Sequence, residues 1–372
     1  MTTALTNNWR KVRQHWWFTP LAIFLGVRLG IFIFAWLAMP GDKSAMARLT
    51  TWDANWNVMV AEDGYTMTGQ PGIATWAKLA FFPLLPYAAR FIAFLTPLSI
   101  PAAGLIVSTI FGTIGIVVLW RVIERRYKDK VATKSVLLLI VWPSAFVFSM
   151  FYTESLMLMC VAIVFLALDK KQWLLAGTFA LIGGAARPNG FLLFVPCAVA
   201  AFMAIRETKS LKPLIAPLLA PIGFILWLVF VWRRTGIVNG YFEIQNQVWM
   251  AKVDFGYQTL RSFKHIAEGK VHDWDTWINA IGLIVMGGFG TVLVLWKRVN
   301  PVWTSWTVAL VAITFANARQ ASSPRFLLMA FPIFVAFVLA LPKKLYPPLV
   351  VVSAVTMLWA LYQSAGWLLF TP

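Results

Sequence analysis

Apolar stretches of roughly 15 to 22 residues recur from Phe18 to Phe370, separated by short segments that hold most of the charge. Stretches of that length suit helices crossing about 30 Å of hydrocarbon, where backbone polar groups must be bonded within the segment. The pattern predicts an all-α bundle of roughly eleven transmembrane helices. They fall near 18–39, 102–122, 135–151, 154–168, 172–187, 190–205, 214–232, 277–296, 302–317, 326–342 and 348–370. Two long intervals remain, 40–101 and 233–276. Phe81 to Leu98 is apolar enough to span, but Pro83, Pro86, Pro97 and Arg90 suit a broken or interfacial helix. With no Ser/Gly-rich linker, the pattern reads as a single membrane domain over 1–372.

Composition strengthens that reading: 60% of the 372 residues are hydrophobic, 12% are charged, and mean hydropathy is +0.74. Water-soluble domains carry about 25% charged residues. The net charge of +18 raises nucleic acid as a partner, but the basic residues are scattered between spans, without a basic tail or recognition motif. Topology explains them better, because Lys and Arg collect in short cytoplasmic loops. Arg10/Lys11/Arg13, Arg121 to Lys134, Lys170/Lys171, Arg206/Lys209/Lys212, Lys297/Arg298 and Lys343/Lys344 are accordingly assigned to the cytoplasm, with 1–17 as a cytoplasmic tail. The apolar run after that tail is longer than a signal-peptide core, so it is expected to stay as an anchor.

This assignment sorts the 14 acidic residues. Only Glu124, Asp129, Asp169 and Glu207 fall inside; the rest fall outside, as do the loops 40–101 and 233–276. Chemistry is therefore expected on the extracytoplasmic face of a multi-pass membrane protein, in the plasma membrane if the source is bacterial. Cys160 and Cys197 lie inside apolar runs, which supports neither disulfide nor Cys-metal site.

The first outer loop holds Trp52-Asp53-Ala54-Asn55-Trp56, then Glu62-Asp63-Gly64-Tyr65. An Asp between two tryptophans near a membrane surface can serve as a proton acceptor. It can equally cap a helix while the tryptophans anchor at the headgroups. Other outer helix ends carry Tyr152-Thr153-Glu154, Arg187-Pro188-Asn189, Arg233-Arg234, Arg319 and Arg325. Arginines on the non-cytoplasmic side suggest a phosphate-bearing ligand, since the planar fork matches phosphate oxygens; pairing with Glu154 or Asp53 is the structural alternative. Arg28, inside the first span, needs a partner, and a carboxylate is expected. His265 and His272 in the second loop could orient an acceptor or carry a proton, or be solvated. Gly183-Gly184 and Gly287-Gly288 fit close helix packing better than a phosphate cradle.

Taken in order, Arg28-Leu29, Trp52-Asp53-Ala54 to Gly64-Tyr65, Phe81-Phe82-Pro83 to Pro86, Tyr152-Thr153-Glu154-Ser155-Leu156, Arg187-Pro188-Asn189-Gly190 and Ser323-Pro324-Arg325-Phe326 to Phe331-Pro332 resemble the PIG-V family. That family comprises glycosylphosphatidylinositol mannosyltransferases with bacterial relatives, within the GT-C class of glycosyltransferases. The resemblance implies a first outer loop that supplies a catalytic acid, which maps onto Asp53. It also implies a polyprenyl- or dolichyl-phosphate mannose donor and a glycolipid or lipid-linked acceptor among the membrane lipids. Arg187, Arg319 and Arg325 would hold the donor phosphate; Trp52, Trp56, Tyr152, Glu154, Asn189, His265 and His272 would line the substrates. No cofactor is expected; Glu62 and Asp63 could assist a divalent metal, although adjacent carboxylates are common on surfaces. The first loop lacks the bulkier aromatic and histidine content of eukaryotic members. A polytopic lipid or solute transporter is the rival from another class, yet no internal repeat is visible. A non-catalytic subunit of a glycosylation complex is a second rival, opposed by the acidic residue in the first loop.

Overall fold

The computed structural model describes residues 16–38, 43–66, 73–367 and 372. The basic cluster Arg10/Lys11/Arg13 and most of the tail 1–17 lie outside the described residues. The fold is an all-α membrane bundle. Among the described residues, six helices are long and apolar enough to cross a membrane: Phe18–Leu37, Ile100–Ile140, Pro188–Thr208, Lys212–Thr235, Trp274–Trp296 and Tyr346–Gly366. Leu84–Leu95, Trp173–Ala186 and Pro301–Ala316 are shorter apolar helices.

Ile100–Ile140 is a hairpin rather than one rod. Lys128 has φ 67° and ψ 168°, outside helical space. Trp120 donates to the Thr133 hydroxyl at 3.0 Å, whereas thirteen residues of straight helix would separate them by about 20 Å. The expected spans 135–151 and 326–342 are each interrupted. Helix 129–140 stops before Pro143 and resumes as a 3₁₀ turn, Ala145–Ser149. Ser323–Leu327 and Pro332–Ala340 are likewise separate helices. In both places a proline removes a backbone donor and bars the preceding turn.

One such break satisfies Arg28. Its Nη1 and Nη2 donate to the carbonyls of Ala145 and Ile140, each at 3.0 Å, and its guanidinium sits 5.0 Å from the Phe24 ring centre. The expected carboxylate partner is thus replaced by backbone carbonyls, one of them on Ile140, where the helix ends and leaves its last carbonyls without intrahelical donors. Phe81–Leu98 folds as Leu84–Leu95, twelve residues or about 18 Å, short of the hydrocarbon thickness. It buries Leu85 and Ala89 and exposes Phe91 and Phe94.

Gly183 and Gly184 behave as expected. A Cβ on Gly184 would lie 3.2 Å from Phe224 N, and one on Gly190 would collide with the Gly183 carbonyl. Gly287 and Gly288 do not: a Cβ there meets nothing closer than 3.6 Å, because the π-helical turn Leu283–Gly290 turns Gly282 and Gly290 inward instead, onto Pro324 and Ile333.

Contacts between loops gather the basic clusters at one end of the bundle. Asp169 binds both Arg125 and Arg126, Lys171 reaches Glu207, Tyr346 donates to the Lys134 carbonyl, and Arg126 lies over Trp303. Glu154 and Arg187 sit at the opposite ends of the helices that follow or precede those contacts, Glu154–Asp169 and Trp173–Ala186. The sixteen residues of Glu154–Asp169 separate the two ends by about 22 Å.

Candidate active site

At the end away from the basic loops, the chain from Leu49 to Asn57 is stitched to the segment before Glu154. Phe151 N donates to the Leu49 carbonyl, Asn57 Nδ2 to the Phe151 carbonyl at 2.8 Å, and Asp53 N to the Tyr152 hydroxyl at 3.3 Å. Trp52 has φ 58° and ψ −123°, a conformation an L-residue adopts rarely and at a cost of about 1–3 kcal/mol. Its indole holds that turn by donating to the Ser364 carbonyl at 3.0 Å. Helix Asp53–Asp63 starts immediately afterwards without a side-chain cap from its N-cap residue Trp52. The Asp53 carboxylate turns instead to Arg325 Nη1, 2.8 Å away.

Arg325 reaches this point on the short helix Ser323–Leu327. Asn279 Oδ1 accepts from Ser323 N at 2.9 Å, and Ser144 donates to the Pro324 carbonyl at 3.1 Å. Arg325 Nε also lies 3.1 Å from Glu154 Oε1, and its guanidinium is 5.1 Å from the ring centres of Tyr152 and Phe326. Arg187, which leaves helix Trp173–Ala186 in an extended conformation because Pro188 follows, brings Nη1 to 2.8 Å from the same Glu154 oxygen.

The result is a buried chain of charge, Asp53, Arg325, Glu154, Arg187, in which only Asp53 is partly open, its side chain 35% exposed. Both pairs on Glu154 are close ion pairs that share one carboxylate oxygen. Arg187 Nε and Nη1, Arg325 Nε and Glu154 Oε1 are all buried without an aligned partner. Buried donors left in that condition cost free energy that an acceptor-rich ligand would recover.

Arg319 stands beside the chain. It donates to the Trp249 carbonyl at 2.9 Å. Burial lowers its guanidinium from the ordinary value, and the nearby Asp53 carboxylate opposes that shift. Asp275 also acts on Arg319, so three guanidiniums (Arg187, Arg319, Arg325) meet the carboxylates of Asp53, Glu154 and Asp275 here. Trp56, one turn beyond Asp53, stacks on Phe81 with centroids 5.6 Å apart, and Trp249 meets both rings edge-on.

The remaining candidates separate. Asn189 is half-buried in the 3₁₀ turn Pro188–Leu193, after Arg187. His265 lies on helix Tyr257–Ala267, anchored to Pro301–Ala316 through Thr259, and His272 is exposed. Among the described residues no contact joins either histidine to Asp53. Asp63 pairs with Lys78 at 2.9 Å, which turns it away from a shared site with Glu62. Asn57 and Asn279, which position the site, were missed. An amide inside the apolar span 277–296 was a usable signal for Asn279, since a polar group at that depth requires a partner.

No family model matches this chain, and no curated protein matches it in sequence. Solved structures match its fold. ArnT from Cupriavidus metallidurans bound to undecaprenyl phosphate superposes with a TM-score of 0.54 at 12% identity, over 90% of this chain and 62% of that one. The apo form of the same enzyme gives 0.51 at 13% identity, over 88% and 61%. An oligosaccharyltransferase from Archaeoglobus fulgidus gives 0.48 at 12% identity, over 95% and 55%. The chain thus spans about three fifths of the length of ArnT, and it has a GT-C-like membrane fold.

Proposed function

We propose that this chain is a membrane glycosyltransferase, of the mannosyltransferase kind suggested by its PIG-V-like motifs, which moves a sugar from a polyprenyl-phosphate donor to a glycolipid or lipid-linked acceptor. The observation that carries the proposal is the half-open Asp53 carboxylate held by a buried arginine whose own donors are incompletely satisfied. Asp53 takes the proton of the acceptor hydroxyl as that oxygen attacks the anomeric carbon. The lipid phosphate leaves from the opposite face, and a single displacement inverts the configuration. Arg325, Arg187 and Arg319 stabilise the charge that grows on the departing phosphate. The likeness to an enzyme bound to undecaprenyl phosphate supports a lipid phosphate as the ligand class. Trp56, partly open one turn beyond Asp53, suits contact with a sugar ring. By the distribution of basic loops, the site faces away from the cytoplasm.

The test is turnover of radiolabelled polyprenyl-phosphate mannose into extracted lipids by purified protein. Asp53→Asn keeps the size of the side chain but cannot accept the proton, so transfer should fall about 10²- to 10⁴-fold while expression and thermal stability hold. Near-normal transfer by a well-folded variant would remove Asp53 from the chemistry.

A further inference from the structure

A cavity of about 230 Å³ lies at the other end of the Asp53 helix, lined by Tyr65, Thr66, Trp76, Lys78, Leu79 and Arg234. Lys78 is 1% exposed, and among the described residues its ammonium has two partners, Asp63 at 2.9 Å and Thr66 at 3.2 Å. An ammonium has three N–H groups, so one is left for a ligand. Arg234 spends one N–H on the Tyr65 carbonyl at 3.0 Å and is otherwise exposed. Two cations against Asp63 give the cavity one excess positive charge. Its volume is below that of sites for whole drug-sized ligands, about 300–1,000 Å³, and suits a headgroup rather than a complete lipid.

Its surroundings point to a membrane ligand. Tyr65 packs edge-on against Tyr87, with centroids 6.2 Å apart. Tyr87 belongs to helix Leu84–Leu95, whose Phe91, Phe94 and Leu95 face outward, Phe94 at 83% exposure. Such an apolar face beside two cations fits the boundary between acyl chains and headgroups. The cavity is also remote from the reacting centre. Asp53 and Asp63 end an eleven-residue helix, which separates their backbones by about 15 Å. The donor phosphate and anomeric carbon are only one bridging oxygen apart, so a donor reacting beside Asp53 cannot place that phosphate at Lys78.

We propose that the Lys78–Arg234 cavity is a second anion site, which takes the phosphate of a lipid headgroup. Its separation from the reacting centre rests on the assignment of Asp53 as base; the binding itself does not. The experiment is native mass spectrometry of the full chain released from phosphatidylcholine nanodiscs, with polyprenyl phosphate and phosphatidylglycerol as probes and inorganic phosphate as competitor. Arg234→Gln, an exposed position that should fold, and Lys78→Met are compared with wild type. The expected result is about tenfold weaker retention of one probe lipid in both variants, with Asp53→Asn binding that lipid normally. Selective loss of phosphatidylglycerol would identify a phosphodiester headgroup, and selective loss of polyprenyl phosphate a carrier lipid. Wild-type retention of both lipids by Arg234→Gln would overturn the proposal. So would displacement only of inorganic phosphate, or lipid binding abolished by Asp53→Asn. Because no turnover is measured, a failure of the proposed transfer activity would be seen separately.

Discussion

Helix Glu154–Asp169 carries a carboxylate paired with two arginines at each of its ends, and the two arrangements differ in nearly everything but formal charge. Asp169 accepts aligned hydrogen bonds from Arg125 Nε at 2.7 Å and Arg126 Nη2 at 2.6 Å, and both arginines are more than a third open to solvent or close to it, at 34% and 37%. Glu154 faces Arg187 and Arg325 at 2.8 and 3.1 Å, yet the three side chains are 2%, 8% and 8% exposed. Solvent screens the first cluster, and such pairs contribute about 1 kcal/mol or less. In the second, each charge depends on the others, and removing one strands its partners at a cost of about 3–5 kcal/mol. A fold that needed only a clamp between loops has one at Asp169. The cluster at Glu154 is instead buried, and it includes the arginine that pairs with Asp53.

The largest expected difference between the two ends is the side of the membrane on which each lies. Lys130→Cys and Lys252→Cys, both exposed, should label from opposite sides of the membrane with an impermeant reagent, Lys130→Cys from the cytoplasm; the native Cys160 and Cys197 are buried and should stay silent. Labelling from one common side would mean that the two ends are not separated by the bilayer. Next in size, Glu154→Gln should lower stability by about 3–5 kcal/mol, read as a large drop in thermal stability in detergent. A change as small as that expected at Asp169 would erase the energetic contrast. Arg325→Lys should fold close to normally but transfer sugar about 10²-fold more slowly, since a point charge cannot span Asp53 and a phosphate as a planar fork does. Arg325→Lys with wild-type kcat/KM would confine Arg325 to a structural role. The smallest effect belongs to Asp169→Asn, which should cost under about 1 kcal/mol and leave transfer unchanged; its small shift in thermal midpoint should shrink further at high salt.

Local composition was enough to establish the solvent of this protein, its helical class and the gathering of the basic loops. Those properties follow from local composition, because hydrocarbon accepts no unpaired backbone and topology follows charge beside each span. The residues of the candidate site were also legible as a set: Asp53, Tyr152, Glu154, Arg187 and Arg325 stand at helix ends on one side of that pattern. Their pairing was not. Which arginine meets which carboxylate depends on where Pro143, Pro188 and Pro332 interrupt helices, and on the amides Asn57 and Asn279, which lock loops far apart in sequence. The same breaks supplied Arg28 with carbonyls in place of the expected acid, and the fold left His265 and His272 apart from Asp53. Lys78 showed no distinction in sequence from any other lysine; only the packing that buried it beside Asp63 and Arg234 made it a candidate ligand. Hydropathy acts over a single span and can be read there, whereas a buried charge is defined by neighbours that only tertiary contacts bring within a few ångströms.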